Sequence, residues 1–209
     1  MPQTVVLMRH AQTSWNVQGR FNSTVDIGID EHGARQAVAA ATELAALAPF
    51  GFVRSDARRA RETAAPLAQS VDRDPEVEPR LAELDFGPFE GRTPAAVADD
   101  PMFLAWDAGA VPPAGGPEGL EAAADRASEA FSDVLERHAD EPTIVIVSHG
   151  VLLRILLCRV VLELPASAYR RLVLDNARAA VVKVGDGDPR FRLVAMNISP
   201  ADLADLVVP

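Results

Sequence analysis

Thr4-Val5-Val6-Leu7-Met8-Arg9-His10 and Thr143-Ile144-Val145-Ile146-Val147-Ser148-His149 are two apolar, β-branched runs that each end in a polar residue followed by histidine. Side chains along a strand alternate between its two faces, so an unbroken apolar run predicts a strand buried on both sides, as central strands of α/β proteins are. Working outward, Glu31 to Leu47 and Asp56 to Gln69 carry Ala, Leu, Glu and Arg at helical spacing on either side of a short strand over Phe50 to Val53, a βαβα order. Helices are expected again over Leu120 to His138 and Val151 to Leu162, and late strands over Arg171 to Leu174, Ala179 to Val184 and Phe191 to Met196. The fold predicted is α/β, a three-layer αβα sandwich with a mostly parallel central sheet, with residues 1–209 as a single domain. Residues 72–119, rich in Pro, Gly and acidic side chains with one helix around Ala95 to Trp106, read as an excursion over the crevice at the carboxyl ends of the strands.

A chain of 209 residues with 48% hydrophobic and 24% charged residues has the balance of a globular protein able to bury one core. Its formal charge of -10 repels polyanions, so neither a nucleic acid nor an acidic membrane surface is an expected partner. Lys183 is the only lysine; the remaining basic residues are arginines, which suits bidentate binding of oxyanions but is equally what a skewed base composition would give. Cys158, alone and inside the apolar run Val151 to Leu164, reads as a core residue without a disulfide. No basic leader with a long apolar stretch precedes the first strand and no run is long enough to span a membrane, so a cytoplasmic location is the simplest expectation. Whether the chain forms a homodimer is left open.

In open α/β sheets, ligands bind beyond the carboxyl ends of the strands, and His10 and His149 both stand there. They meet in one crevice if their strands are neighbours. A neutral, oriented imidazole is a competent nucleophile toward phosphorus, and an arginine beside it suits a dianionic phosphate. An isolated Arg-His pair is nonetheless more often a satisfied, partly buried histidine than a catalytic one. His32 and His138 lie in polar contexts at helix edges and are expected to face solvent, and no His, Cys or carboxylate spacing suggests a metal site. No metal or cofactor is expected.

Leu7-Met8-Arg9-His10-Ala11-Gln12-Thr13-Ser14-Trp15-Asn16 resembles the opening signature of the histidine phosphatase superfamily, whose best known members are phosphoglycerate mutases. The resemblance continues through Gly19-Arg20-Phe21, Asp30 to Ala37, Ser55-Asp56-Ala57-Arg58-Arg59-Ala60 with Thr63-Ala64, Leu81-Ala82-Glu83 and Val147-Ser148-His149-Gly150. It implies His10 as nucleophile, Arg9, Arg59 and His149 as a phosphate clamp, Glu83 as proton donor, and Asn16 and Ser23 as further phosphate contacts. Arg59 rather than Arg58 takes the clamp role because it directly precedes Ala60 in the family pattern; Arg58 and Arg61 are then surface residues. Glu83 would need a pKa raised toward neutrality, plausible beside Leu84 and Phe86, with Asp85 as the rival acid. Trp15, Phe86, Phe89, Phe103 and Trp106 are candidates for the leaving-group pocket, although aromatics at such spacing are more often core.

Three features depart from the family pattern: Ala11 stands where glycine is usual, Asn22-Ser23-Thr24 replaces a Gln-Gly-Trp segment, and Pro117 shifts the register around Glu118. A mutase needs cations for a second anionic group, yet between Glu83 and Arg126 the only basic residue is Arg92. The expected activity is therefore metal-independent hydrolysis of a small-molecule phosphate monoester through a phosphohistidine. A phosphoglycerate mutase-type phosphotransferase and a catalytically weak protein that binds phospho-ligands are the alternatives. A generic nucleotide-binding domain is not supported, because no Gly-rich phosphate loop follows the first strand.

Overall fold

The computed structural model describes residues 3–48 and 50–207. Six strands, β1 (Gln3–Arg9), β2 (Gly51–Arg54), β3 (Glu76–Val77), β4 (Thr143–Ser148), β5 (Ala179–Val184) and β6 (Phe191–Ile198), form one sheet in the order β3-β2-β4-β1-β5-β6. The pairs β1–β4, β2–β4 and β2–β3 are parallel, while β5 and β6 are added antiparallel beside β1. The helices are α1 (Ser14–Val17), α2 (Glu31–Ala45), α3 (Arg58–Val71), α4 (Pro101–Asp107), α5 (Leu120–Arg137), α6 (Gly150–Leu156) and α7 (Ala204–Val207).

The period-2 alternation of β1 assigns the layers. Val5 and Leu7 join Ile144 and Ile146 against α5 and α6, whereas Val6 and Met8 join Val145 and Val147 against α2 and α3. Each face of the sheet is thus covered by a helix pair, giving the sandwich that the continuous apolar runs require. All of these strand residues are at most 1% exposed, so a polar substitution in either run would bury an unpaired group at about 1–3 kcal/mol.

Four expectations are corrected. Arg171 to Leu174 is not a strand; Ala166–Arg171 is a 3-10 turn that continues into a loop. The helix around Ala95 to Trp106 is broken into a 3-10 turn, Pro94–Val97, and α4, because Asp100 caps the backbone N–H groups of Met102 and Phe103 and starts a new helix before Pro101. Val151 to Leu162 begins one residue earlier and passes from α6 into a π-helical turn over Leu157–Val161. The excursion contains β3, which pairs with β2 and extends the sheet edge before the chain crosses the crevice.

The rest of the excursion is anchored by aromatics. Phe86, Phe89, Phe103 and Trp106 are at most 5% exposed and stack with ring centroids 5.4–6.2 Å apart, so they form a core under the crossing chain rather than the wall of a pocket. Trp15, half-buried, lies against Gly91, where φ is +73° and a Cβ would stand 3.1 Å from the indole.

Candidate active site

The pairing of β1 with β4 puts Arg9 opposite Ser148, and the His10 N–H donates to the Ser148 carbonyl at 2.8 Å. The two strands are therefore neighbours, and the rings of His10 and His149 stand with centroids 5.3 Å apart.

His10 is 4% exposed, and its Nδ1 lies 2.8 Å from the Ala11 carbonyl oxygen. A carbonyl can only accept, so Nδ1 carries the proton and Nε2 keeps its lone pair. Burial first, then the charges of Arg9 and Arg59, hold the His10 pKa well below its ordinary value, so the ring is neutral across physiological pH. The Ala11 peptide is itself fixed, because its N–H donates to Thr63 Oγ1 at 2.9 Å and the same hydroxyl donates to the Arg59 carbonyl at 2.7 Å. Behind it, the first turn of α2 approaches so closely that a Cβ on Gly33 would stand 2.2 Å from the Gln12 carbonyl oxygen. Only glycine fits there.

His149 has the opposite tautomer. Arg59 Nε donates to its Nδ1 at 3.2 Å, which leaves the proton on Nε2, 2.7 Å from Ser55 Oγ. Its pKa is also driven well below the ordinary value, by burial and then by Arg59, His10 and Arg9. With both nitrogens engaged, His149 here aims Arg59.

Arg59 is 1% exposed, and its remaining nitrogens reach the carbonyls of Asn22 and Ser23 at 3.2–3.4 Å. These are long bonds, weak enough to be exchanged for a charged acceptor. The neighbouring Arg58 is exposed and pairs with Glu62, so the two adjacent arginines have separate tasks. Asp26 caps the start of α3 through the Arg58 N–H at 3.0 Å, which draws the 22–26 loop over Arg59.

Arg9 donates from Nη1 to the Leu174 carbonyl at 2.9 Å, while its buried Nε has no partner among the described residues and lies against Gly150, where a Cβ would stand 2.8 Å away. Burial lowers its pKa to about 10 against the opposing pull of Glu83. Glu83 Oε1 accepts from the N–H groups of Leu84 and Leu152, and Oε2 from that of Val151, so the carboxylate caps the first turn of α6 beside His149. Arg9, Arg59 and Arg154 all lie within its electrostatic reach.

Asn16 Oδ1 is occupied by Thr13 and by Asn176 Nδ2, each at 3.0 Å; among the described residues its Nδ2 has no partner. The Ser23 hydroxyl donates to Glu90 at 3.0 Å and accepts from the Phe86 N–H, so it braces the loop with its side chain. Ser55, Thr63 and Asn176, which also donates to the His10 carbonyl at 3.0 Å, were not singled out in the sequence. Ser55 and Thr63 lay inside the quoted family segment, which was the available signal; Asn176 gave none. His138, expected to face solvent, is a further correction: its side chain is 12% exposed, under Gly51, with Nε2 3.2 Å from Glu76.

A cavity of about 370 Å³ opens beside Arg59 and Glu83, lined also by Ser23, Thr24, Asp26, Asp56 and Asp85. Among the described residues no group of three His, Cys, Asp or Glu side chains is placed to hold a metal ion, and no helix is long and apolar enough to cross a membrane. A neutral imidazole with a free nitrogen, two guanidinium groups and a carboxyl group that can cycle between acid and base are the parts needed to attack, hold and protonate a phosphate ester.

The family model described as Histidine phosphatase superfamily (branch 1) matches residues 5–198. A glucosyl-3-phosphoglycerate phosphatase of Mycobacterium tuberculosis is 35% identical over 180 residues, covering 80% of this chain and 79% of that protein. A metal-independent phosphoserine phosphatase of Arabidopsis thaliana is 30% identical over 190 residues, covering 87% of this chain and 76% of its own. The solved structure of a mycobacterial glucosyl-3-phosphoglycerate phosphatase with VO3 superposes with a TM-score of 0.81 at 32% identity, covering 94% of this chain and all of the other.

Proposed function

This chain belongs to the histidine phosphatase superfamily, and from that premise we propose that it hydrolyses a small phosphorylated metabolite through a phosphohistidine on His10. The observation that carries the reading is the His10 tautomer: with Nδ1 tied to the Ala11 carbonyl and the ring kept neutral, Nε2 holds a lone pair in the crevice. In the proposed reaction Nε2 attacks phosphorus in line, the bond to the ester oxygen breaks, and the carboxyl group of Glu83, entering the step in its acid form, gives its proton to the departing alkoxide. Glu83 then takes a proton from the water that attacks phosphohistidine, which frees phosphate and restores His10. Arg9 and Arg59 stabilise the charge that spreads over the equatorial oxygens, Arg59 being aimed by His149. The free Nδ2 of Asn16 and the backbone around Ser23 are the proposed secondary phosphate contacts.

Hydrolysis is favoured over mutase chemistry by the cavity beside Arg59 and Glu83, among whose lining residues the only cation is Arg59 and the other charged residues are Asp26, Asp56, Glu83 and Asp85. The second phosphate that a mutase must hold finds no clamp there. Glucosyl-3-phosphoglycerate and phosphoserine, the substrates named for the relatives, head the panel to test, with p-nitrophenyl phosphate as the reporter. Alkaline quenching during turnover should trap phosphate on His10 in the wild type and none in His10→Ala. Unchanged turnover by His10→Ala would end the proposal, and a wild type that releases no phosphate from any ester would favour a binding protein instead.

A further inference from the structure

Glu83 sits on an arch of chain, residues 80–85, that belongs to no helix or strand where the carboxylate projects. Yet its carboxylate has to meet both the first turn of α6 and the leaving oxygen, so something must hold the arch. Arg126, from α5, reaches its near side: Nη1 donates to the carbonyls of Arg80 at 2.6 Å and Ala82 at 3.0 Å. The other edge of the same guanidinium is bound bidentately by Glu118, at 2.9 Å from Nε and 2.8 Å from Nη2. Glu118 in turn grips the far side of the arch, its N–H donating to the Asp85 carbonyl at 2.7 Å and its carboxylate accepting from the Asp85 N–H at 3.3 Å. Trp106 Nε1 donates to the Glu118 carbonyl at 2.7 Å, tying this connection to the aromatic core.

We infer that Arg126 and Glu118 are positioning residues for proton transfer, a clasp that closes around residues 80–85 and sets the place of the Glu83 carboxylate. The inference rests on the reading of Glu83 as the acid. Neither residue is a hydrogen-bond partner of Arg9, Arg59 or His10, which are held by other groups, so the expected effect is on proton transfer and not on phosphate binding. Both side chains are about three-quarters covered, 24% and 22% exposed, and the fork geometry of Arg126 spans four acceptors that a lysine cannot serve together. The clasp also gives Glu118 a task despite Pro117: the register shift leaves its carboxylate on Arg126 and its backbone on Asp85.

The test compares an alkyl phosphate, whose alkoxide needs a proton, with p-nitrophenyl phosphate, whose leaving group needs little. Arg126→Met should lower kcat/KM, which ends at phosphohistidine formation and so leaves out the water step common to both esters, at least about tenfold more for the alkyl ester than for p-nitrophenyl phosphate, since angstrom-scale misplacement of a reacting group costs up to about 100-fold. Inhibition by vanadate should stay within about twofold. Glu118→Gln, nearly isosteric, should move the same ratio in the same direction by less, and Arg126→Lys should not restore it. In a Glu83→Gln background, Arg126→Met should cost nothing further on the alkyl ester, because both changes remove one function. Equal losses on both esters, weakened vanadate binding, or additive losses in the double variant overturn the clasp even where Glu83→Gln shows the leaving-group dependence. If Glu83→Gln lacks that dependence, the acid reading fails and the clasp falls with it.

Discussion

The floor of the crevice and its rim are built differently. On the floor, His10, Ser55, Arg59, Thr63 and His149 are at most 4% exposed and linked by bonds of 2.7–3.2 Å, so each ring and fork has one orientation. On the rim, Thr24, Asp26, Asp56 and Asp85 are exposed. Asp56 has no hydrogen bond, and none of the three aspartates is in an ion pair among the described residues. A preorganised floor can stabilise one transition state without rearranging, whereas a solvated acidic rim can only bias which leaving group settles beside it. In the proposed reaction the floor would set the chemistry and the rim its selectivity.

The largest effect should come from the floor. Arg59→Met removes a buried guanidinium aimed at the proposed phosphate and should reduce kcat/KM for p-nitrophenyl phosphate by roughly 10²–10³, the range seen when one transition-state donor is lost. A loss under tenfold would mean that Arg59 is chiefly structural. Thr63→Val, next in size, leaves the buried Ala11 N–H without an acceptor and should cost about 1–3 kcal/mol in urea unfolding. The same change at an exposed rim residue, Thr24→Val, should be near neutral.

A third consequence concerns pH. His10 and His149 are held neutral in the folded chain but take up a proton near 6.5 when unfolded. The unfolded state therefore binds more protons below that pH. Stability from these two groups is fully present above about 6.5 and is lost as pH falls toward their depressed folded values, at up to about 1.4 kcal/mol per pH unit for each. Urea midpoints measured from pH 7 to 5 should drop along that slope, and the slope should flatten in His149→Gln. Glu78, depressed to about 2 chiefly by its hydrogen bond with Arg80, adds its loss only below about 4.5, outside this window. The smallest effect belongs to the rim: Asp56→Asn should raise kcat/KM for esters that carry a second anion relative to p-nitrophenyl phosphate by at most about fivefold, as one solvated charge allows. A larger change would show that the rim binds as tightly as the floor.

Much of the floor could be read from the sequence because its residues follow apolar strands. Arg9-His10 and Ser148-His149 come at the ends of runs whose burial is unmistakable, and the choice of Arg59 over Arg58 agrees with which of the two is buried. The excursion was harder. Its aromatics are spaced like pocket walls but pack as core, and the break before α4 depends on a cap by Asp100 that competes with helical spacing.

By itself the sequence determined the two strands, the layers around them and the positions of the histidines at strand ends, since alternation and apolar length act through neighbours along the chain. Only the tertiary structure decided the tautomers of His10 and His149, the close approach that excludes a side chain at Gly33, and the clasp of Glu118 and Arg126 around Glu83. Those features depend on partners far apart in sequence, such as Ser55 with His149 and Arg126 with Arg80, and a hydrogen bond between such groups has no local pattern to announce it.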